Sequence, residues 1–255
     1  MRNVRLIPRL DVKQNWLIKG VQMEGWRKVG DPAEFAQRYA NQGADELIFM
    51  DVVASLYERN NLQDIVEKVA SSVFIPLTVG GGIRTPEDVG ALLSRGADKV
   101  SLNTAATRTP ELITKISDQY GAQATVVSIE AILAQSGKWE AMTDNGRNQT
   151  GLDAVEWAKR AEGLGAGELL VTSIANDGRG VGYEIDLIKQ ITDAVNIPVV
   201  ASGGLGKSEH LADLIENTGA SAAAVAQAVH WDKLTIGDLR NTLHENECFV
   251  RPFAE

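Results

Sequence analysis

The amino-acid sequence predicts an α/β protein, a (β/α)8 TIM barrel built from two duplicated half-barrels. Three observations carry that prediction. Short apolar runs alternate with longer amphipathic segments from end to end, there are eight of each in 255 residues, and the first half of the chain resembles the second. Eight βα units in this length match a closed parallel barrel.

The strands are expected at Val4–Leu10, Glu46–Asp51, Leu77–Gly80, Lys99–Asn103, Ala124–Glu130, Glu168–Ser173, Val199–Ser202 and Ala222–Ala226. Helices are expected at Pro32–Gln42, Leu62–Ser71, Pro86–Ser94, Pro110–Gln119, Leu152–Leu164, Ile185–Ala194, Ser208–Glu216 and Ile236–His244. Asp31-Pro32, Thr85-Pro86 and Thr109-Pro110 each place a capping side chain before a proline suited to a first helical turn. Gly43, Gly96, Gly121, Gly165 and Gly219 follow helices, where a left-handed cap is expected. Gly137 and Asn145-Gly146 suggest a hairpin in the loop after the fifth strand, lying over Glu130.

The repeat relates residues 30–55 to 150–177, and 75–106 to 197–229; matched strands are offset by 122 positions, so Glu46 maps to Glu168 and Pro76 to Pro198. Each half then carries four βα units, about 1–122 and 123–255, in a single domain. A doubly wound open sheet fits the repeat less well, and two separate half-barrels would leave open parallel edges.

Composition narrows the function classes. Lys and Arg number 25 against 34 Asp and Glu, a net charge of −9, which argues against nucleic acid or an anionic membrane as partner. A phosphate must then be held locally, by main-chain N–H groups or a few placed cations. The one cysteine, Cys248, excludes an internal disulfide, and the three histidines show no ligand spacing, so neither metal nor cofactor is expected. The charged N-terminus is no signal peptide and no run is long enough to span a bilayer; a cytoplasmic protein is expected.

In such a barrel chemistry sits where strands end. Gly80-Gly81-Gly82 after the third strand and Asn103-Thr104 after the fourth suit a phosphate cradle, and Ser202-Gly203-Gly204 after the seventh is its repeat. A lone Gly-Gly reads as a tight turn; recurrence at corresponding strand ends favours binding, with a phosphate at each end of the ligand. Asp11 and Glu130 are likewise equivalents, LIPRLDVK against TVVSIEAI, and a carboxylate pair across one mouth suits general acid and base work. At the other end of the strands Arg5, Glu46, Lys99 and Glu168 sum to zero charge. From physics alone that ring closes the barrel floor; it also stands where a passage would be gated.

These residues carry a family resemblance. RLDVK at 9–13, IKG at 18–20, GADELIFMDVVAS at 43–55, TVGGGI at 78–83, GADKVSLNTAA at 96–106, GAGELLVTSI at 165–174 and ASGGLGK at 201–207 make the chain resemble, over its whole length, the cyclase subunit of imidazole glycerol phosphate synthases. The resemblance implies that ammonia attacks a bisphosphate formimino-ribulosyl nucleotide, an imidazole ring closes, and an aminoimidazole carboxamide ribotide leaves. It implies Asp11 and Glu130 as catalytic groups, with Asp51, Gly81, Gly82, Asn103, Thr104, Thr172, Asp177, Gly178, Ser202, Gly203 and Gly204 around substrate and its phosphates. Lys19, in the loop after the first strand, would close over substrate. Arg5, Glu46, Lys99 and Glu168 would gate ammonia from a glutaminase partner, forming a heterodimer in which Asp98 lies near the docking face.

The chain also departs from the family pattern. Glu130 stands where the family has an aspartate, Arg9 where a cysteine is usual, and Gln227 where a serine is usual; Ala175 and Arg179-Gly180 replace an acidic residue and a Thr-Lys pair. Three readings follow: the histidine-pathway cyclase; a paralogue passing glutaminase-derived ammonia to a sugar amidotransferase; and a non-catalytic scaffold that activates a glutaminase. Retention of both carboxylates disfavours the last. Trp16, Trp26 and Trp139 are expected to pack the long loops, His210 and His244 to face solvent, and Cys248 to be inert.

Overall fold

A computed structural model describes residues 3–52 and 62–251. Residues 53–55 of the motif at 43–55 lie outside the described residues. Among those described, eight parallel strands close on themselves: β1 (Arg5–Lys13), β4 (Leu47–Asp51), β5 (Leu77–Gly80), β6 (Lys99–Leu102), β7 (Thr125–Leu133), β10 (Glu168–Ser173), β11 (Val199–Ser202) and β12 (Ala222–Val225). β1 lies between β12 and β4, and the pairing of β10 with β7 closes the ring, so the (β/α)8 barrel expected from the sequence is the observed fold. Helices run outside it: α1 (Pro32–Asn41), α2 (Leu62–Ala70), α3 (Pro86–Leu93), α5 (Glu111–Tyr120), α6 (Ala154–Gly163), α7 (Ile185–Ala194), α8 (Ser208–Asn217) and α10 (Ile236–Glu245). Two short helices, α4 (Thr104–Arg108) and α9 (Gln227–His230), follow β6 and β12 and were not expected.

Strand alternation sorts the chain into two cores. On β1, Leu6, Leu10 and Val12 pack outward beneath the helices, as does Val4 just before it, while Ile7 joins an interior cluster with Ile48, Val126, Leu170, Val200 and Ala222. Arg5, Arg9 and Asp11 share the inward row with Ile7. One strand therefore carries charge at both ends of the bore and a greasy residue between.

Each loop expected to be long is a hairpin. β2 (Trp16–Val21) pairs with the extended end of β1 and with β3 (Glu24–Gly30). β8 (Trp139–Thr143) pairs with the end of β7 and with β9 (Asn148–Asp153), the hairpin that Gly137 and Asn145-Gly146 suggested. The two meet over the mouth: Met23 packs with Met142 and Ile174, and the Asn145 amide donates to the Met23 carbonyl at 3.3 Å. Trp139 is buried with its Nε1 donating to Asp186 at 3.0 Å, and Trp26 packs against both interior clusters. Trp16 is partly exposed beneath the Lys28 ammonium.

Two local expectations fail. Thr109 caps nothing: it ends α4, and α5 begins after Pro110 without a side-chain cap, because the short helix takes the residues that an N-cap needs. Gly219 does not adopt a left-handed conformation, unlike Gly43, Gly96, Gly121 and Gly165. A β-carbon there would meet Thr192 at 2.9 Å, so close approach to α7 accounts for that glycine. The Asp31 cap and the Thr85–Asp88 capping box form as expected. His244 is exposed on α10, whereas His210 is half-buried and accepts from the Gly206 N–H. No helix among the described residues is long and apolar enough to cross a membrane.

Candidate active site

The C-terminal ends of the strands form a mouth, and Asp11 and Glu130 face each other across it. Asp11 lies on β1 beside Met50, and Glu130 lies on β7 beside Thr172 of β10; they are 2% and 4% exposed. Their environments differ. The Asp11 carboxylate accepts from Arg9 Nε at 2.9 Å and from Lys19 Nζ at 3.5 Å. Burial pushes its pKa up, but the Arg9 and Lys19 charges outweigh that and hold it below the usual carboxylate range. Glu130 accepts the Gly146 main-chain N–H, and its Oε2 has no partner. Burial first, and then the charges of Asp11 and Asp177, push its pKa up to about 7 against the opposing pull of Arg9. Near neutral pH the mouth thus holds one ionised carboxylate and one carboxyl poised to keep its proton.

Lys19 lies on the hairpin strand β2 and is buried, its ammonium 2.9 Å from both carboxylate oxygens of Asp177. The Gln22 N–H donates to the Asp177 carbonyl at 2.8 Å, so the first hairpin is latched down on the second-cradle side. His230, unremarkable in sequence, is buried beneath the mouth. Its Nε2 lies 3.1 Å from the Arg9 carbonyl and its Nδ1 2.6 Å from the Tyr39 hydroxyl. A carbonyl accepts only, so Nε2 carries the hydrogen and Nδ1 receives Tyr39 O–H. Burial and the nearby Lys19 charge depress the His230 pKa to about 3, which keeps the ring neutral.

The two glycine cradles are brought to one mouth but differ in shape. Gly81, Gly82, Asn103 and Thr104 border a cavity of about 520 Å³, with Asp51, Arg84 and Arg108 on its walls. Gly81 has φ +105°, and a β-carbon there would lie 2.4 Å from the Asp51 carbonyl oxygen, so only glycine fits. Thr104 is partly committed, its Oγ1 accepting from the Asp144 N–H at 3.0 Å. Opposite, Asp177, Gly178, Ser202, Gly203 and Gly204 enclose about 20 Å³ with Lys19, Arg9 and Gln227. Gly204 abuts Gly182 so closely that a β-carbon would overlap its carbonyl, and Gly178 does the same against Gly20. On this side the tight-turn reading holds as well as the binding one. Arg179 is exposed, and its side chain donates to the Ala175 carbonyl at 3.2 Å.

At the barrel floor the four expected charges form a closed cycle. Arg5 reaches Glu46 at 2.6 Å and Glu168 at 2.5 Å; Lys99 reaches the other oxygens of the same carboxylates at 3.0 and 2.9 Å. Asp98 lies at that face, its carboxylate accepting the Leu77 N–H at 2.8 Å beside a groove lined by Phe74 and Val73. No group of three or more His, Cys, Asp or Glu among the described residues is placed to hold a metal ion.

Arg9 is what sequence reasoning undervalued. It was noted as a departure, yet its guanidinium crosses the bore to Thr172 of β10 at 3.1 Å and Ser202 of β11 at 3.4 Å. The available signal was register: residues 5, 7, 9 and 11 must share one face of β1.

A closed parallel barrel with two buried carboxyls in one mouth beside glycine-lined cavities is the architecture of a class, the barrel enzymes whose chemistry sits at the strand ends. The comparisons are more particular. The model of the histidine biosynthesis protein family matches residues 5–235, and the chain belongs to that family. It is 57% identical over 209 residues to a Legionella pneumophila protein named imidazole glycerol phosphate synthase subunit HisF, a match covering 82% of this chain and 99% of the relative.

Proposed function

We propose that this barrel is the cyclase subunit of an imidazole glycerol phosphate synthase and that Asp11 and Glu130 are its acid–base pair. The likeness to a subunit named HisF supports cyclase chemistry over an ammonia-delivering paralogue or a scaffold. The observation that carries the reading is a pair of buried carboxyls in one mouth, Asp11 bonded by Arg9 and Lys19 and Glu130 with Oε2 left without a partner among the described residues. Ammonia adds to the bisphosphate formimino-ribulosyl nucleotide; Asp11, ionised, accepts the proton that the attacking nitrogen must lose, and Glu130, protonated, donates where a leaving nitrogen or oxygen gathers charge. One phosphate sits by Gly81, Gly82, Asn103 and Thr104. The other sits by Asp177, Gly178, Ser202, Gly203 and Gly204, with Thr172 and Asp51 between and Lys19 closing from above.

Ammonia enters from a glutaminase docked at the floor near Asp98, past Arg5, Glu46, Lys99 and Glu168. The apolar interior above that ring admits neutral ammonia and penalises a bare ion. The chain acts as one domain, residues 1–255, of two half-barrels near 1–122 and 123–255; a hairpin after β1 and another after β7 support that division. Its chemistry suits the cytoplasm, where the phosphorylated nucleotide is made.

The test is turnover of the bisphosphate nucleotide by the purified chain in excess ammonium salt at mildly alkaline pH, with Asp11→Asn as control. Turnover that vanishes in the control is expected. A folded wild-type chain that binds a glutaminase yet converts no nucleotide overturns the reading.

A further inference from the structure

Arg9 is only 4% exposed, yet its fork is not filled. Nε donates to Asp11, Nη1 is shared between Thr172 and Ser202, and Nη2 makes no hydrogen bond within the described residues. Arg9 borders both the 520 Å³ cavity and the 20 Å³ cavity, and among the described residues no other does. Ser101 Oγ and Glu130 Oε2, which line the larger cavity with Arg9, are buried without partners among the described residues. Buried polar groups left without partners cost stability, and two of them on the wall of one cavity, beside the open edge of the Arg9 fork, mark a place that a ligand completes.

The chemistry of the missing group follows from the donors. Nη2 offers two N–H groups and no acceptor, so its partner brings an acceptor oxygen. The residue is also held still: Asp11, Thr172 and Ser202 fix the guanidinium, and His230, fixed in turn by Tyr39, bonds the Arg9 main-chain carbonyl.

We propose that Arg9 is a specificity-determining residue whose Nη2 edge takes a carbonyl or carboxylate oxygen from the middle of a ligand anchored by a phosphate on either side. The assignment rests on the cyclase reading for the ligand's two phosphates. It gives the substituted position before Asp11 a task that a cysteine cannot perform, because a thiol is a weak single donor.

The experiment is calorimetric binding to the full chain of two probes. One is the histidine-pathway bisphosphate nucleotide; the other is a pentitol bisphosphate, which has both phosphates and no carbonyl. Arg9→Lys keeps a cation beside Asp11 but loses the fork; Arg9→Met removes both. In either variant nucleotide affinity falls on the order of 10- to 100-fold, the value of a hydrogen bond to a charged donor, while in Arg9→Lys, which keeps the charge, pentitol bisphosphate affinity stays within about twofold. Should Arg9→Met fail to fold by circular dichroism, Arg9→Lys decides. Equal losses for both probes, or unchanged nucleotide affinity, overturn the assignment. A wild-type chain that binds neither probe sinks the cyclase reading, and this assignment with it.

Discussion

Arg5 and Arg9 lie four residues apart on one face of one strand, and the protein uses them in opposite ways. At the floor Arg5 and Lys99 pair with all four oxygens of Glu46 and Glu168, so two positive and two negative charges cancel and every carboxylate oxygen has a charged partner. At the mouth Arg9 and Lys19 face Asp11, Asp177 and Glu130, two positive charges against three acids. Both ends reach neutrality, but the mouth does so by leaving a proton on Glu130. A complete ion-pair cycle makes a structural plug; an odd acid makes a group that exchanges a proton near neutral pH.

The contrast breaks first at Asp11. Asp11→Asn leaves the fold intact by circular dichroism and lowers ammonium-dependent turnover about 1,000-fold or more; a loss under tenfold would remove Asp11 from the chemistry. Glu130→Gln tests the odd proton. Turnover falls about 100- to 1,000-fold, and wild-type turnover, compared at constant free ammonia, declines as pH rises past about 7, where Glu130 gives up its proton.

Stability follows the same group. With a folded pKa of about 7 above an ordinary 4.5, Glu130 costs nothing below pH 4.5, and its penalty grows through the window up to 7, then levels. Glu130→Gln therefore gains on wild type across that window, by of order 3 kcal/mol at pH 8; parallel urea-unfolding profiles from pH 4.5 to 8 would refute the shift. His230 works against it in the wild type. Its depressed pKa means stability is present above 6.5 and lost as pH falls toward 3.

Lys99→Met sharpens the floor. Two buried carboxylates are left with one partner, and the chain loses about 2 kcal/mol in urea titrations, while turnover on free ammonium stays near wild type; a matching loss of that turnover would mean the floor shapes the mouth. The smallest effect is expected at the hairpin. Trp139→Phe removes the bond to Asp186 at a cost of about 1 kcal/mol, read as a lowered melting temperature.

What the sequence disclosed tracks what local pattern encodes. β5, β10, β11 and α7 fall at their expected residues because alternation and helical period are local properties. The second hairpin was legible through Asn145-Gly146. The first was not, since its turn places Gln22 and Met23 at φ +53° and +60°, positions that residue type seldom announces. Asp11 with Glu130, and Glu46 with Glu168, were legible because the repeat pairs them; Arg5 and Lys99, which it does not pair, were legible from their places at strand starts. The Arg9 reach was not: it depends on curvature that brings β10 and β11 within a side chain's length of β1, and no spacing along the chain records that.

One consequence of β1 concerns how the molecule tolerates change. Arg5 and Asp11 are six residues apart on a strand rising about 3.3 Å per residue, which sets roughly 20 Å between floor and mouth. Deleting or inserting a single residue between them would turn Arg9 and Asp11, or else Arg5, out beneath the helices. Substitution at Arg9 alters what the mouth recognises; a change of length at the same place removes one end of the barrel altogether. This strand is free to vary in letter and not in count.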